Sequence, residues 1–234
     1  KKAMDFISKY LGKDDPISEG IVRELHKIIV KSVRGENADP GNYRKIQNYV
    51  VNSRTREVVY TPPAPLDVPH LMREFTEWIN KVEDVSPILV AGIVQFQFVH
   101  IHPFIDGNGR TARLLSTLIL YKTGYDFKRL FAISEYYDKD RPSYYQAIQS
   151  VRNNNMDMTA WLGYFVEGLR SQMEEIQEKG KKIIASEKIV KALAGYNLNL
   201  RQEKIIRSSL LTSRLTTNSA KGCAEVFGGL QQEI

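Results

Sequence analysis

The feature that most constrains this chain is residues 88–101, a run that is apolar almost all round and has proline at each end. Ser86 followed by Pro87 is a cap residue with proline at the first helical position, so a helix is expected to begin there. His102 precedes Pro103, and a residue before proline is pushed out of the helical region, so the helix must stop near Ile101. A helix apolar on every side is normally buried centrally. Gln95, Gln97 and His100 interrupt the run, and about twenty apolar residues would be needed to cross a bilayer. It therefore reads as the axis of a core and not as a membrane span.

Around that axis the pattern is mainly helical. Ile21, Val22, Leu25, Ile28 and Ile29 recur at helix spacing up to about Lys31, with Ser18 placed to cap the start. Residues 32–42 form a loop by composition. Residues 68–82 are amphipathic, with Leu71, Phe75, Trp78 and Ile79 on one side, and a helix from 110 to about 121 carries Leu114, Leu115, Leu118 and Ile119. Helical readings continue through 143–152 and 159–193. One hairpin stands out: Tyr49, Val50 and Val51 face Val58, Val59, Tyr60 and Thr61 across a polar turn at 53–56, and Pro62, Pro63 and Pro65 then end regular structure.

Composition narrows the class. The 234 residues suit one fair-sized domain plus an appendage. Cys223 is the sole cysteine, which excludes a disulfide framework and a cysteine-based metal site. The first residues lack the apolar run of a signal peptide, so a cytoplasmic protein is expected, and the absence of an initiating Met suggests a fragment. The net charge of +6 is confined to residues 179–234, where ten basic residues face four acidic ones; residues 1–178 balance at 23 of each. A basic tail is compatible with DNA contact, although a solvated helical face is the commoner origin of such a pattern.

Between the two central helices lies His102-Pro103-Phe104-Ile105-Asp106-Gly107-Asn108-Gly109-Arg110-Thr111-Ala112-Arg113. Gly107 and Gly109 let the backbone approach an anion at a helix start, where unsatisfied donors and the dipole favour phosphate. Arg110 and Arg113, three apart, share a helix face and can reach one polyphosphate. Asp106 supplies a hard oxygen ligand suited to magnesium. His102 sits at the rim as a base with an ordinary pKa near 6.5. Asn-Gly is a frequent hairpin turn, but its flanks here do not alternate like strands. A calcium loop fails, because Arg110, Thr111 and Thr117 stand where an acidic or amide ligand, a glycine and a glutamate belong. His26, His70 and His100, without such company, read as structural.

This stretch resembles the Fic-family signature, His-Pro-Phe-x-(Asp/Glu)-Gly-Asn-Gly-Arg-x-x-Arg, at every defined position. The run Pro40-Gly41-Asn42-Tyr43-Arg44-Lys45-Ile46-Gln47 and Pro62-Pro63 resemble the family's segments before and after its flap hairpin; residues 21–26 and 141–152 are similar too. The resemblance implies a Fic-like helical catalytic domain over residues 1–178 with a β-hairpin flap. It further implies a protein adenylyltransferase, with ATP as substrate and Mg as cofactor, that moves AMP to a Ser, Thr or Tyr hydroxyl of a target protein or of the chain itself. His102 would be the general base and Asp106 the magnesium ligand. Gly107, Asn108 and Gly109 would cradle phosphate oxygens, with Arg110 and Arg113 facing the β- and γ-phosphates. Phe104 would anchor the loop, Tyr144 would line the adenine pocket, and Val58, Val59, Tyr60 and Thr61 would dock an extended target segment.

Gly109 stands where the related Doc branch has lysine and transfers phosphate, which points here to AMP transfer; the loop leaves another nucleotide open. The family's inhibitory glutamate motif has one match, Ser32 to Asn37, but its Gly35 and loop position set it aside. A regulatory helix upstream would then be lacking, and a disinhibited enzyme is expected. Residues 198–202 and 224–228 loosely resemble parts of a winged-helix segment, which makes 179–234 a basic helical linker with a partial winged-helix-like piece. The alternative class is a non-enzymatic DNA-binding regulator. Oligomeric state is left open.

Overall fold

A computed structural model of the chain describes residues 7, 12, 14–31, 39–52, 55–125, 133–192, 200–202 and 204, with side chains of the last long helix described to residue 184. It divides into two compact units, Lys1–Arg170 and Ser171–Ile234. The sequence expectations for residues 32–38, for Ser53 and Arg54 of the hairpin turn, for Cys223 and for most of the winged-helix-like strings lie outside the described residues. Among the described residues, the elements are α1 (Glu19–Lys31), β1 (Val50–Val51), β2 (Val58–Tyr60), α2 (Val68–Lys81), α3 (Pro87–Ile101), α4 (Asn108–Lys122), α5 (Ile133–Lys139), α6 (Arg141–Asn153) and α7 (Thr159–Ala192). The fold is mainly α with a two-stranded hairpin, as the sequence implied. No helix among the described residues is long and apolar enough to cross a membrane.

Helix α3 is the axis. Val90, Ala91, Val94, Phe96, Phe98, Val99 and Ile101 are all buried, on every side of the helix. Its chief packing partner is α4, which buries Ala112, Leu115, Leu118 and Ile119. Gln95, polar and fully buried, is satisfied: its amide donates to the Tyr137 hydroxyl at 3.0 Å and its oxygen accepts from Ser116 Oγ at 3.0 Å. Gly92 allows α7 to close on the axis, since a Cβ there would stand 2.8 Å from Leu162 Cδ2 and 3.0 Å from Phe165 Cδ1. Trp161 Nε1 then donates to the Gly92 carbonyl at 2.9 Å.

Several local expectations shift. Pro87 opens α3, but the Ser86 side chain makes no cap bond, whereas Ser18 Oγ does accept from the Ile21 N–H at 3.3 Å. Helix α2 buries Val68, Met72, Phe75, Thr76 and Ile79. Trp78 is 38% exposed and Leu71 only half-buried, so the face is turned from the expected one. The cause is α3, which accepts α2 along the Met72–Ile79 ridge. Helix α5 escaped the sequence reading because seven residues, ISEYYDK, are too short to display a helical period. The hairpin pairs Val50 with Tyr60 and Val51 with Val58, with an irregularity between them.

Candidate active site

Three turns of chemistry-bearing chain meet where α3 ends. His102 caps α3 in the left-handed conformation (φ 53°, ψ 56°), its N–H donating to the Phe98 carbonyl. His102 has left the right-handed helical region, as the following proline demands, but by the left-handed route rather than the extended one. A left-handed non-glycine costs on the order of 1–2 kcal/mol, so other contacts must hold it. The Arg44 main-chain N–H donates to the Pro103 carbonyl at 2.9 Å, and Arg44 Nε donates to the His102 carbonyl at 2.9 Å.

The loop itself is stapled internally. Asn108, buried, accepts from the Phe104 N–H at 2.9 Å and donates to the Phe104 carbonyl at 2.8 Å. Asn48 Nδ2 donates to the same carbonyl at 3.0 Å. Phe104 is fully buried and stacks on His26, ring centroids 3.6 Å apart and 4° from parallel. Phe104 is thus buried beneath the loop, and the Asn108 amide bonds within the turn while the residue lines the cleft. Gly107 is left-handed (φ 81°), and a Cβ there would meet Val30 Cγ2 at 2.7 Å. As the N-cap of α4 it has no side chain to satisfy the first-turn N–H groups.

A cleft of about 380 Å³ opens over this turn, lined by His102, Asp106, Gly107, Asn108, Gly109, Arg110 and Arg113 together with Ile105, Tyr49 and Val50 of the flap side. Seven of the sequence-singled residues therefore share one concavity. Asp106 brings its carboxylate there, with Oδ1 accepting from the Gly107 N–H at 2.6 Å and Oδ2 lying 3.7 Å from Arg110 Nη2. Arg110 Nη1 and Arg113 Nε are buried without a hydrogen-bond partner. Buried guanidinium donors without acceptors are costly, and a polyanion in the cleft would satisfy them. Among the described residues, Asp106 is the sole carboxylate of the lining, and no cluster of three or more His, Cys, Asp or Glu side chains could hold a metal alone. That donor set fits a magnesium ion shared with phosphates rather than a protein-caged one.

His102 Nδ1 lies 3.3 Å from the Val99 carbonyl. A carbonyl only accepts, so Nδ1 carries the hydrogen and Nε2 keeps the lone pair of a base. Burial pushes its pKa down to about 4, opposed by the Val99 bond and assisted by the Arg44 and Arg152 cations. The imidazole is therefore neutral, and able to accept a proton, at neutral pH.

Two expected site residues lie elsewhere. Tyr144, expected beside the adenine, is buried and stacked on Tyr137 at 4.4 Å, outside the cleft lining. Its ring packs on Tyr137, Tyr145 and Trp161 within the core. In the flap, Val58, Val59 and Thr61 are exposed, but Tyr60 turns inward. Its hydroxyl donates to the His100 carbonyl at 2.7 Å, and Arg152 lies 3.4 Å over its ring. Tyr60 therefore fastens the flap to α3.

The run from Pro40 to Gln47, singled out in the sequence by resemblance alone, lies in a strap at residues 41–48 that contacts the loop in order: Gly41 through His26, then Arg44, then Asn48. An aperiodic run of polar residues has no period that tells which of them reach the loop.

The fold and cleft define a helical domain built around one phosphate-suited turn. The family model described as Fic/DOC matches residues 16–120. The protein adenylyltransferase Fic of Drosophila grimshawi is 36% identical over 125 residues, 53% of this chain and 24% of that one; that of Drosophila erecta is 35% identical over the same length. The chain thus spans about a quarter of the length of these relatives. Among solved structures, a Fic family protein from Desulfovibrio desulfuricans matches with TM-score 0.66 at 20% identity, covering 94% of this chain and 63% of that one. Fic-1 from C. elegans, residues 134–508, matches with TM-score 0.55 at 27% identity over 75% of this chain and 48% of that one. The chain carries a domain of the Fic/DOC family.

Proposed function

We propose that this domain transfers AMP from ATP to a hydroxyl of a protein side chain. The observation that carries the reading is the shared cleft, in which a neutral imidazole, one carboxylate, two guanidinium groups and a bare helix start face the same space. The names of the curated relatives support adenylyl transfer.

The incoming hydroxyl is a weak nucleophile at neutral pH. His102 Nε2 takes its proton as the oxygen bonds to the α-phosphorus, and the bond from that phosphorus to the β-phosphate's bridging oxygen breaks. The main-chain N–H groups of Asn108 and Gly109, at the start of α4, receive phosphate oxygens. Arg110 and Arg113 offset the charge of the leaving pyrophosphate. Asp106 would hold magnesium with the phosphates, which adds a further positive charge at the leaving group. The exposed strand residues Val58 and Val59, with Thr61, offer main chain against which an extended target can align.

The test is incubation of the chain and a cell lysate with magnesium and ATP labelled at either the α- or the γ-phosphate. Relative to lysate without the chain, added protein-bound α-label with no added γ-label is expected. Incorporation of γ-label that depends on the chain would mean phosphoryl transfer and would overturn the reading.

A further inference from the structure

Arg44 is among the most deeply buried charged residues described, at 2% exposure, yet its recorded guanidinium contacts are all main-chain carbonyls. Nε donates to His102 at 2.9 Å, Nη2 to Pro63 at 2.5 Å and Nη1 to Ile46 at 3.4 Å. These three carbonyls belong to the end of α3 and to the chain on either side of the flap hairpin. A guanidinium presents five N–H donors in a rigid plane, and no other side chain can span three separated acceptors in this way. The same residue's main-chain N–H holds the Pro103 carbonyl at 2.9 Å. Both carbonyls that follow the His102 α-carbon are therefore fixed by Arg44.

We propose that Arg44 is a positioning residue for the catalytic base: it holds His102 in its left-handed backbone conformation, and with it the aim of the imidazole, and ties that conformation to both feet of the flap. Without the guanidinium, the His102 carbonyl loses its acceptor role in a buried place, and a residue before proline relaxes toward the extended region. That rotation carries the imidazole away from the cleft. The Arg44 guanidinium gives its hydrogen bonds to the His102, Ile46 and Pro63 carbonyls rather than to the nucleotide-facing turn, so nucleotide binding is left in place. The activity readout rests on the AMP-transfer reading above; the structural readout does not.

The test compares Arg44→Lys and Arg44→Met with the unaltered chain. Lysine keeps the charge but cannot span the three carbonyls, so it rescues folding without restoring aim. Label transfer from α-labelled ATP to the acceptor that the unaltered chain modifies is expected to lose at least tenfold in kcat in Arg44→Lys, with KM for ATP changed less than threefold. A folded Arg44→Lys with unaltered kcat would overturn the proposal, as would a loss that resides wholly in KM. Should Arg44→Met fail to fold, Arg44→Lys decides. If the unaltered chain transfers no AMP, the proposed function fails by itself, and the assigned His102 imidazole NMR resonances still decide the positioning role. They are expected to move in Arg44→Lys; unmoved resonances would contradict it.

Discussion

His26 and Asp106, eighty positions apart, meet in a single hydrogen bond of 2.8 Å between the imidazole Nε2 and the loop carbonyl. The other ring nitrogen accepts from the Gly41 N–H at 2.9 Å. Nδ1 is therefore the acceptor and Nε2 the donor, which fixes the neutral tautomer. The ring bridges the strap and the loop while stacked on Phe104. Replacing it with alanine leaves a cavity and two unsatisfied main-chain groups. We expect His26→Ala to lower stability by about 3 kcal/mol, read as a shift in urea midpoint. A change below about 0.5 kcal/mol would show that the bridge carries no weight.

Stability should also fall with acid. Burial lowers the pKa of His26, and lowers those of His100 and His102 to about 4. In the unfolded chain all three titrate near the ordinary 6.5. Between about 6.5 and about 4 the unfolded chain binds protons that the folded chain refuses, so the stabilisation is complete above that window and lost as pH drops through it. At pH 5 the loss should reach about 1–2 kcal/mol for each of His100 and His102 relative to pH 7.5, with His26 acting in the same direction. Urea midpoints at the two pH values check this, and equal midpoints would contradict the assigned neutrality.

The two loop glycines should separate stability from binding. Gly107→Ala forces a left-handed alanine whose Cβ meets Val30 at 2.7 Å, and should cost about 2–3 kcal/mol. At Gly109 the nearest atom to a Cβ is Arg113 Nη1 at 3.6 Å, an ordinary contact. Gly109→Ala should fold as well as the parent while raising KM for ATP several-fold, because its methyl enters the cleft. Thermal melts and ATP titrations distinguish them; a strongly destabilised Gly109→Ala would contradict this account of the turn.

Asp106→Asn preserves the shape of the Asp106 side chain, whose Oδ1 accepts from the Gly107 N–H, and removes its charge. The magnesium concentration giving half-maximal label transfer should rise at least tenfold, with little change in melting temperature. An unchanged magnesium dependence would remove Asp106 from the metal-holding role.

Much of this was legible in the sequence because it is local. Residues 88–101 announced a buried axis through continuous apolarity, and Pro103 announced its end. The loop from His102 to Arg113 carries its own glycines and charges, so its chemistry could be read before any contact was known. What escaped depends on distant partners. No local pattern tells that Arg44 reaches His102, that Tyr60 turns inward onto His100, or that Tyr144 packs in the core against Tyr137. Nor does any local pattern tell that the Asn108 amide bonds across the turn to Phe104.

The central claim is that an imidazole at the end of α3 accepts the proton of an attacking hydroxyl. Comparing α-labelled ATP incorporation by the unaltered chain and by His102→Ala, at matched folding, tests it most directly. The account predicts a loss of at least a hundredfold, in line with the removal of a general base. Labelling by His102→Ala at the unaltered rate would contradict it.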